Sequence, residues 1–213
     1  MARRKDHTHE QIRSLAIEAV LAHLQQAPAS DMSLRKLAQQ LGYSPGTLIN
    51  VFGSYDLLLL SVNAHTLDQL AAHLPSADLA STEPTELATL EHTHLRLLAL
   101  ASAYLDFARQ HRYQWQLLFD HRLPEDEALP VWQQQRISDL FAQLEALLAA
   151  CSPRASAGEC QRAARTLWAS VHGICVLSLS EKLFTSEVDD GPAMLASLIQ
   201  HYISAWHQAH KEC

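Results

Sequence analysis

Positive charge is scarce in this chain. Its 213 residues hold 16 Lys and Arg against 23 Asp and Glu, for a formal net charge of −7. A protein coated in basic surface is excluded, so any polyanionic partner must be held by a local patch. Backbone breakers are also few. The six Gly and eight Pro fall mostly between periodic stretches, which argues against a turn-rich β fold. No run of about 18 uncharged apolar residues occurs, so no membrane span is expected. The opening MARRKDHTHEQ is basic and then polar, without an apolar segment behind it, and does not read as a secretory leader. Four cysteines (Cys151, Cys160, Cys175, Cys213) are scattered without a CxxC pair. They read as reduced thiols of a cytoplasmic protein, not as a disulfide framework. GxSxG, HExxH, P-loop and GxGxxG signatures are missing too.

What is present is a globular balance, 48% apolar and 18% charged, enough for a sizeable core. The charge is unevenly divided. Residues 1–63 carry six basic and five acidic side chains, net +1, and the remainder is net −8. Only the N-terminal third is therefore not repelled by nucleic acid. Apolar residues recur at helical steps throughout, as in Ile12, Leu15, Ala16, Ala19, Val20 and Leu24 between about residues 7 and 26. Helices are also expected over about 54–74, 86–111, 131–150, 157–184 and 193–210. The count is about nine helices, an all-α fold.

The most patterned stretch is SLRKLAQQLGYSPGTLINVFGSYD, residues 33–56. Ser33 is placed to cap a helix carrying Leu34, Leu37, Ala38 and Leu41. Gly42 suits the left-handed residue that closes it. Ser44 then caps a second helix with Pro45 at its first position, where proline's missing N–H has no helical partner. Two short helices across a glycine turn form a helix-turn-helix, whose second helix lays its N-terminal residues in the major groove. Leu37, Ala38, Leu41, Leu48 and Phe52 supply a shared core, with Ala38 small at the crossing. Ser44, Pro45, Gly46, Thr47 and Asn50 face outward.

Residues from about 8 to 56 resemble the N-terminal DNA-binding domain of the TetR family of transcriptional regulators. A second likeness lies at LWASVHGICVL, where Trp168, His172 and Gly173 are similar to the WHG signature of some members' C-terminal domains. The resemblance implies a DNA-binding domain over 1–55 and an effector-binding, dimerising domain over 56–213. It also implies a repressor released from palindromic double-stranded DNA by a small effector, here expected to be apolar. The family usually carries an aromatic at Ile49, Tyr or His at Val51 and Lys at Tyr55, positions that tend to touch phosphate. Ile49 and Val51 cannot bond phosphate through their side chains, and Tyr55 offers one uncharged hydroxyl. Contacts are therefore expected from an arm of Arg3, Arg4 and Lys5, from Ser33 and Arg35 at the start of the second helix, and from Tyr43, Ser44, Thr47 and Tyr55. Thr47, Asn50 and apolar contacts to thymine methyls would read bases.

In the larger C-terminal part, Tyr104, Phe107, Trp115, Phe119, Trp132 and Trp168 are candidates for an effector wall, since pockets are mostly apolar with few polar groups. Arg165, His172 and Cys175 are candidates for its polarity. Leu195, Leu198, Ile199, Tyr202, Ile203 and Trp206 form an apolar face that fits a homodimer interface, with a monomer core as the alternative. His207, His210 and Cys213 approach metal-ligand spacing at a terminus expected to fray, and no metal or cofactor is expected. Two other readings stay open: a helical adaptor without specific DNA binding, and a small-molecule enzyme using His172 and Cys175.

Overall fold

A computed structural model describes residues 7–75, 86–125, 127–180 and 191–211. Among them are nine α-helices, one 3-10 turn (Ala29–Asp31) and no strand. The helices are α1 (His9–His23), α2 (Leu34–Leu41), α3 (Pro45–Phe52), α4 (Tyr55–His73), α5 (Glu86–Gln110), α6 (Arg112–Asp120), α7 (Val131–Cys151), α8 (Ala157–Ser180) and α9 (Gly191–Ala209). The all-α expectation and its helix count hold. No single helix among the described residues is long and apolar enough to cross a membrane.

Local sequence explains most of the boundaries. Thr8 caps α1 by accepting from the Gln11 N–H, and the Gln11 side chain returns to the Thr8 N–H. This reciprocal box starts the helix two residues later than its apolar period alone suggests. The Ser54 hydroxyl accepts from Leu57 N–H at 3.0 Å, at the start of α4. Ser156 and Glu159 form the expected box before α8.

The chain divides into two compact units. The first gathers the described residues up to Gln69 with Gln110–Gln133, and the second gathers Leu70–Arg109 with those from Gln134 onward. The first unit packs Ile12, Ala16, Val20 and Leu24 of α1 against Leu37 and Ala38 of α2. Leu48, Val51 and Phe52 of α3, Leu58, Leu59 and Val62 of α4, and Leu117 of α6 complete this core. Each large side chain buried this way contributes about 1.5–3 kcal/mol. α6 is held to α4 by Asn63 Nδ2 donating to the Leu117 carbonyl at 3.4 Å. A His121–Asp56 pair at 3.1 Å holds it a second time, with the imidazole almost fully buried.

The second unit is built on α5, α7, α8 and α9. Leu97, Leu105 and Phe107 on α5, Leu147 and Leu148 on α7, and Leu167 and Cys175 on α8 are among its most deeply buried side chains. α8 and α9 pack along their length, and buried Ala163 and Ala164 on α8 leave room for that approach. At the start of α9 a Cβ on Gly191 would meet the Ser178 Oγ at 2.7 Å, so a larger residue there would oblige that hydroxyl to turn away.

Candidate nucleic-acid interface and C-terminal aromatic cluster

The α2–α3 pair has the construction that its caps predict. Ser33 accepts from the Lys36 N–H at 3.3 Å. Gly42 has φ 76°, the left-handed conformation, and lets the Tyr43 N–H reach the Ala38 carbonyl at 2.9 Å. Ser44 accepts from the Thr47 N–H at 3.1 Å, and the two hydroxyls lie 2.9 Å apart. Pro45 follows at the first helical position. Leu48, Val51 and Phe52 turn into the core, while Ser44, Pro45, Gly46 and Asn50 are exposed and Thr47 and Ile49 are half-buried. The outward face of α3 is thus small, uncharged and accessible.

The other candidates fall in different places. Ser33 and Arg35 are exposed at the start of α2. Tyr43 is half-buried, its hydroxyl 2.5 Å from the His7 Nδ1, which ties the segment before α1 to the turn. Arg3, Arg4 and Lys5 lie outside the described residues. Tyr55 needs correction as a phosphate contact. Its hydroxyl oxygen is sheltered from solvent and has no hydrogen-bond partner among the described residues, and desolvation first, then the nearby Asp56 charge, raises its pKa. The ring packs on the core of its unit, and that packing turns the oxygen inward.

A residue that hydropathy did not mark completes this region. Arg13 on α1 donates from Nη2 to the Val51 carbonyl at 2.7 Å. Its guanidinium carbon lies 4.6 Å from the centre of the Phe52 ring. The partners are 38 residues apart, so no local pattern announces the contact. The nearest signal is a charge beside the apolar stripe of α1.

The candidate effector residues divide between the two units. In the first, Trp115 is buried and meets Phe119 edge-on at 5.2 Å, while Phe119 and Trp132 are exposed. In the second, Tyr104 and His172 join through the Tyr104 hydroxyl and His172 Nδ1 at 2.9 Å. The imidazole stacks on Trp168 at 5.2 Å and 26°, and Trp168 meets Phe141 edge-on at 5.7 Å. Burial lowers the His172 pKa. Phe107 is fully buried beside the His73 ring. Arg165 needs correction as a source of pocket polarity. It is exposed and pairs with Glu145 at 3.0 Å, and its guanidinium carbon lies over the Phe141 ring at 4.8 Å, so its charge is met by a carboxylate, a ring face and solvent.

Cys175 is fully buried, and desolvation pushes its thiol up to about 12. A nucleophilic cysteine needs the opposite shift, so the His172/Cys175 reading loses its chemistry. Among the described residues no group of three metal-ligating side chains is found. His207 and His210 turn their Nδ1 atoms to the Cys151 and Trp206 carbonyls.

The expected dimer face also changes. Leu195 and Ile199 are completely buried within the protomer, where helix α9 lies against α8. They are core residues, because a broad apolar stripe is satisfied first by the nearest helix of its own chain. Leu198, Tyr202 and Trp206 are half-buried. The Tyr202 hydroxyl donates to the Ala163 carbonyl at 3.2 Å, and Trp206 Nε1 donates to the Leu148 carbonyl at 3.3 Å.

Residues 97–202 match the family described as "Tetracyclin repressor-like, C-terminal domain". No curated protein matches the chain. Among solved structures it is similar to a protein of unknown function from Rhodococcus sp. RHA1, with TM-score 0.68 and 19% identity over 95% of this chain and 98% of that one. It is also similar to a TetR-family transcriptional regulator from Streptomyces coelicolor, with TM-score 0.61 and 14% identity over 95% of this chain and 84% of that one. At such identities these likenesses show the fold.

Proposed function

The C-terminal domain makes this chain a member of the TetR family, and from that premise we propose that it is a cytoplasmic, homodimeric repressor that a small effector releases from palindromic DNA. Residues 1–55 form the reading head and residues 56–213 bind effector and dimerise. The observation that carries this reading is the α3 surface. Ser44, Pro45, Gly46 and Asn50 stand exposed on a helix whose other side is locked into the core. Thr47 and Asn50 read base edges, and Ser33, Arg35, Tyr43 and Ser44 hold the backbone. In the second unit, Tyr104, Trp168 and His172 are the groups best placed to recognise an apolar effector with one polar atom. Effector binding shifts the population to a state whose two recognition helices no longer match the groove spacing of about 34–36 Å. α4 carries the change, because it runs from the first unit into the second.

Two observations favour a second reading, an adaptor without specific DNA binding: the Val51 side chain is buried and the Tyr55 oxygen is turned inward. Selection of bound duplexes from a random pool at two salt concentrations separates the two. A repressor enriches a palindrome and loses affinity steeply with salt. Absence of enrichment at both concentrations rejects the repressor and leaves the adaptor.

A further inference from the structure

We propose that Arg13 is a phosphate contact of the reading head, supplied by α1 to the end of α3; the inference rests on the DNA-binding reading above. The residues from Gly42 to Tyr55 carry no charged side chain. α3 has only eight residues, and the last carbonyls of any helix lack intrahelical partners and carry partial negative charge. Left alone, that end repels a polyanion. Arg13 places a full positive charge there, 2.7 Å from the Val51 carbonyl oxygen.

The geometry suits a second partner. A guanidinium has five N–H donors in a rigid fork, and the bond to Val51 uses one. The Val51 bond and the Phe52 ring 4.6 Å from the guanidinium carbon both restrain the group, so less side-chain freedom remains to be lost on binding. The side chain is half-exposed. Among the described residues, the groups around this helix end do not duplicate the role. The Ile49 and Val51 side chains have no donors, the Tyr55 oxygen is sheltered, and the Lys36 ammonium donates to the Asp31 carbonyl at 2.8 Å.

The test uses the full chain and a mixed-sequence duplex of about 30 base pairs, followed by fluorescence anisotropy between about 50 and 200 mM salt. Arg13→Met keeps an apolar cover over Phe52 and removes the charge. It is expected to lower the slope of log affinity against log salt by about 0.9 per engaged reading head, and affinity at low salt by roughly tenfold. Arg13→Lys is expected to keep the wild-type slope. Weaker binding of Arg13→Met with an unchanged slope would reduce Arg13 to an internal clamp and overturn the proposal. If Arg13→Met melts early, Arg13→Gln is judged by the same slope criterion. Wild-type protein that ignores the duplex at every salt concentration rejects the DNA-binding reading and this inference together. A wild type that binds, with a variant of equal slope, rejects this inference alone.

Discussion

Helix α3 and the last helix α9 are both amphipathic, and they use that property in opposite ways. In α3 the apolar side, Leu48, Val51 and Phe52, is spent on the core with α1 and α2, so what matters is the small polar side left over. In α9 the apolar side is broad, and Leu195, Ile199 and Ile203 all disappear into the protomer. A polar stripe between two good caps reveals where a helix is not packed. An apolar stripe reveals only that something covers it, and leaves open whether the cover belongs to the same chain.

The largest expected effect tests the α9 side of this contrast. Leu195→Ala removes a fully buried side chain and is expected to cost about 3 kcal/mol. Denaturant unfolding at several protein concentrations should show the same loss at each. A loss that grows on dilution would place Leu195 between subunits and undo the contrast. Next comes the turn that shapes α3. Gly42 has φ 76° and open space where a Cβ would stand, so the cost of Gly42→Ala is backbone strain alone, about 1–2 kcal/mol. Gly42→Asn should recover part of it in the same melts, because asparagine tolerates the left-handed region.

The smallest effect belongs to the second unit. Burial depresses the His172 pKa, so in acid the unfolded chain binds a proton that the folded chain resists. Stability is then lost as pH falls below the unfolded histidine value of about 6.5. Melting temperatures between pH 7 and pH 5 should fall less steeply for His172→Gln than for the wild type. Equal slopes would mean that the imidazole is as free to protonate in the folded state as in the unfolded one.

Much of the α2–α3 region was legible because its determinants are local. Ser33, Gly42, Ser44 and Pro45 act on backbone groups within a few residues of themselves, and periodicity alone placed Leu37, Leu48 and Phe52 inside. The Thr8–Gln11 box is equally local, but the longer apolar period around it masks the start that it sets for α1. The C-terminal candidates were less legible. Aromatic composition pointed to Trp115, Phe119, Trp168 and Tyr104 together, yet the first two fall in one compact unit and the last two in the other. Arg165 looked like pocket polarity beside Trp168 on the helix, but its charge found Glu145 and solvent.

Helix positions, the caps and the turn between α2 and α3 were determined by the sequence itself, because hydrogen bonds within a turn or two of helix need no distant partner. Only the tertiary structure decided which apolar face met which. It brought Arg13 to the end of α3, turned the Tyr55 oxygen inward and paired Tyr104 with His172. Those contacts join residues distant along the chain, and their geometry exists only once the helices have packed.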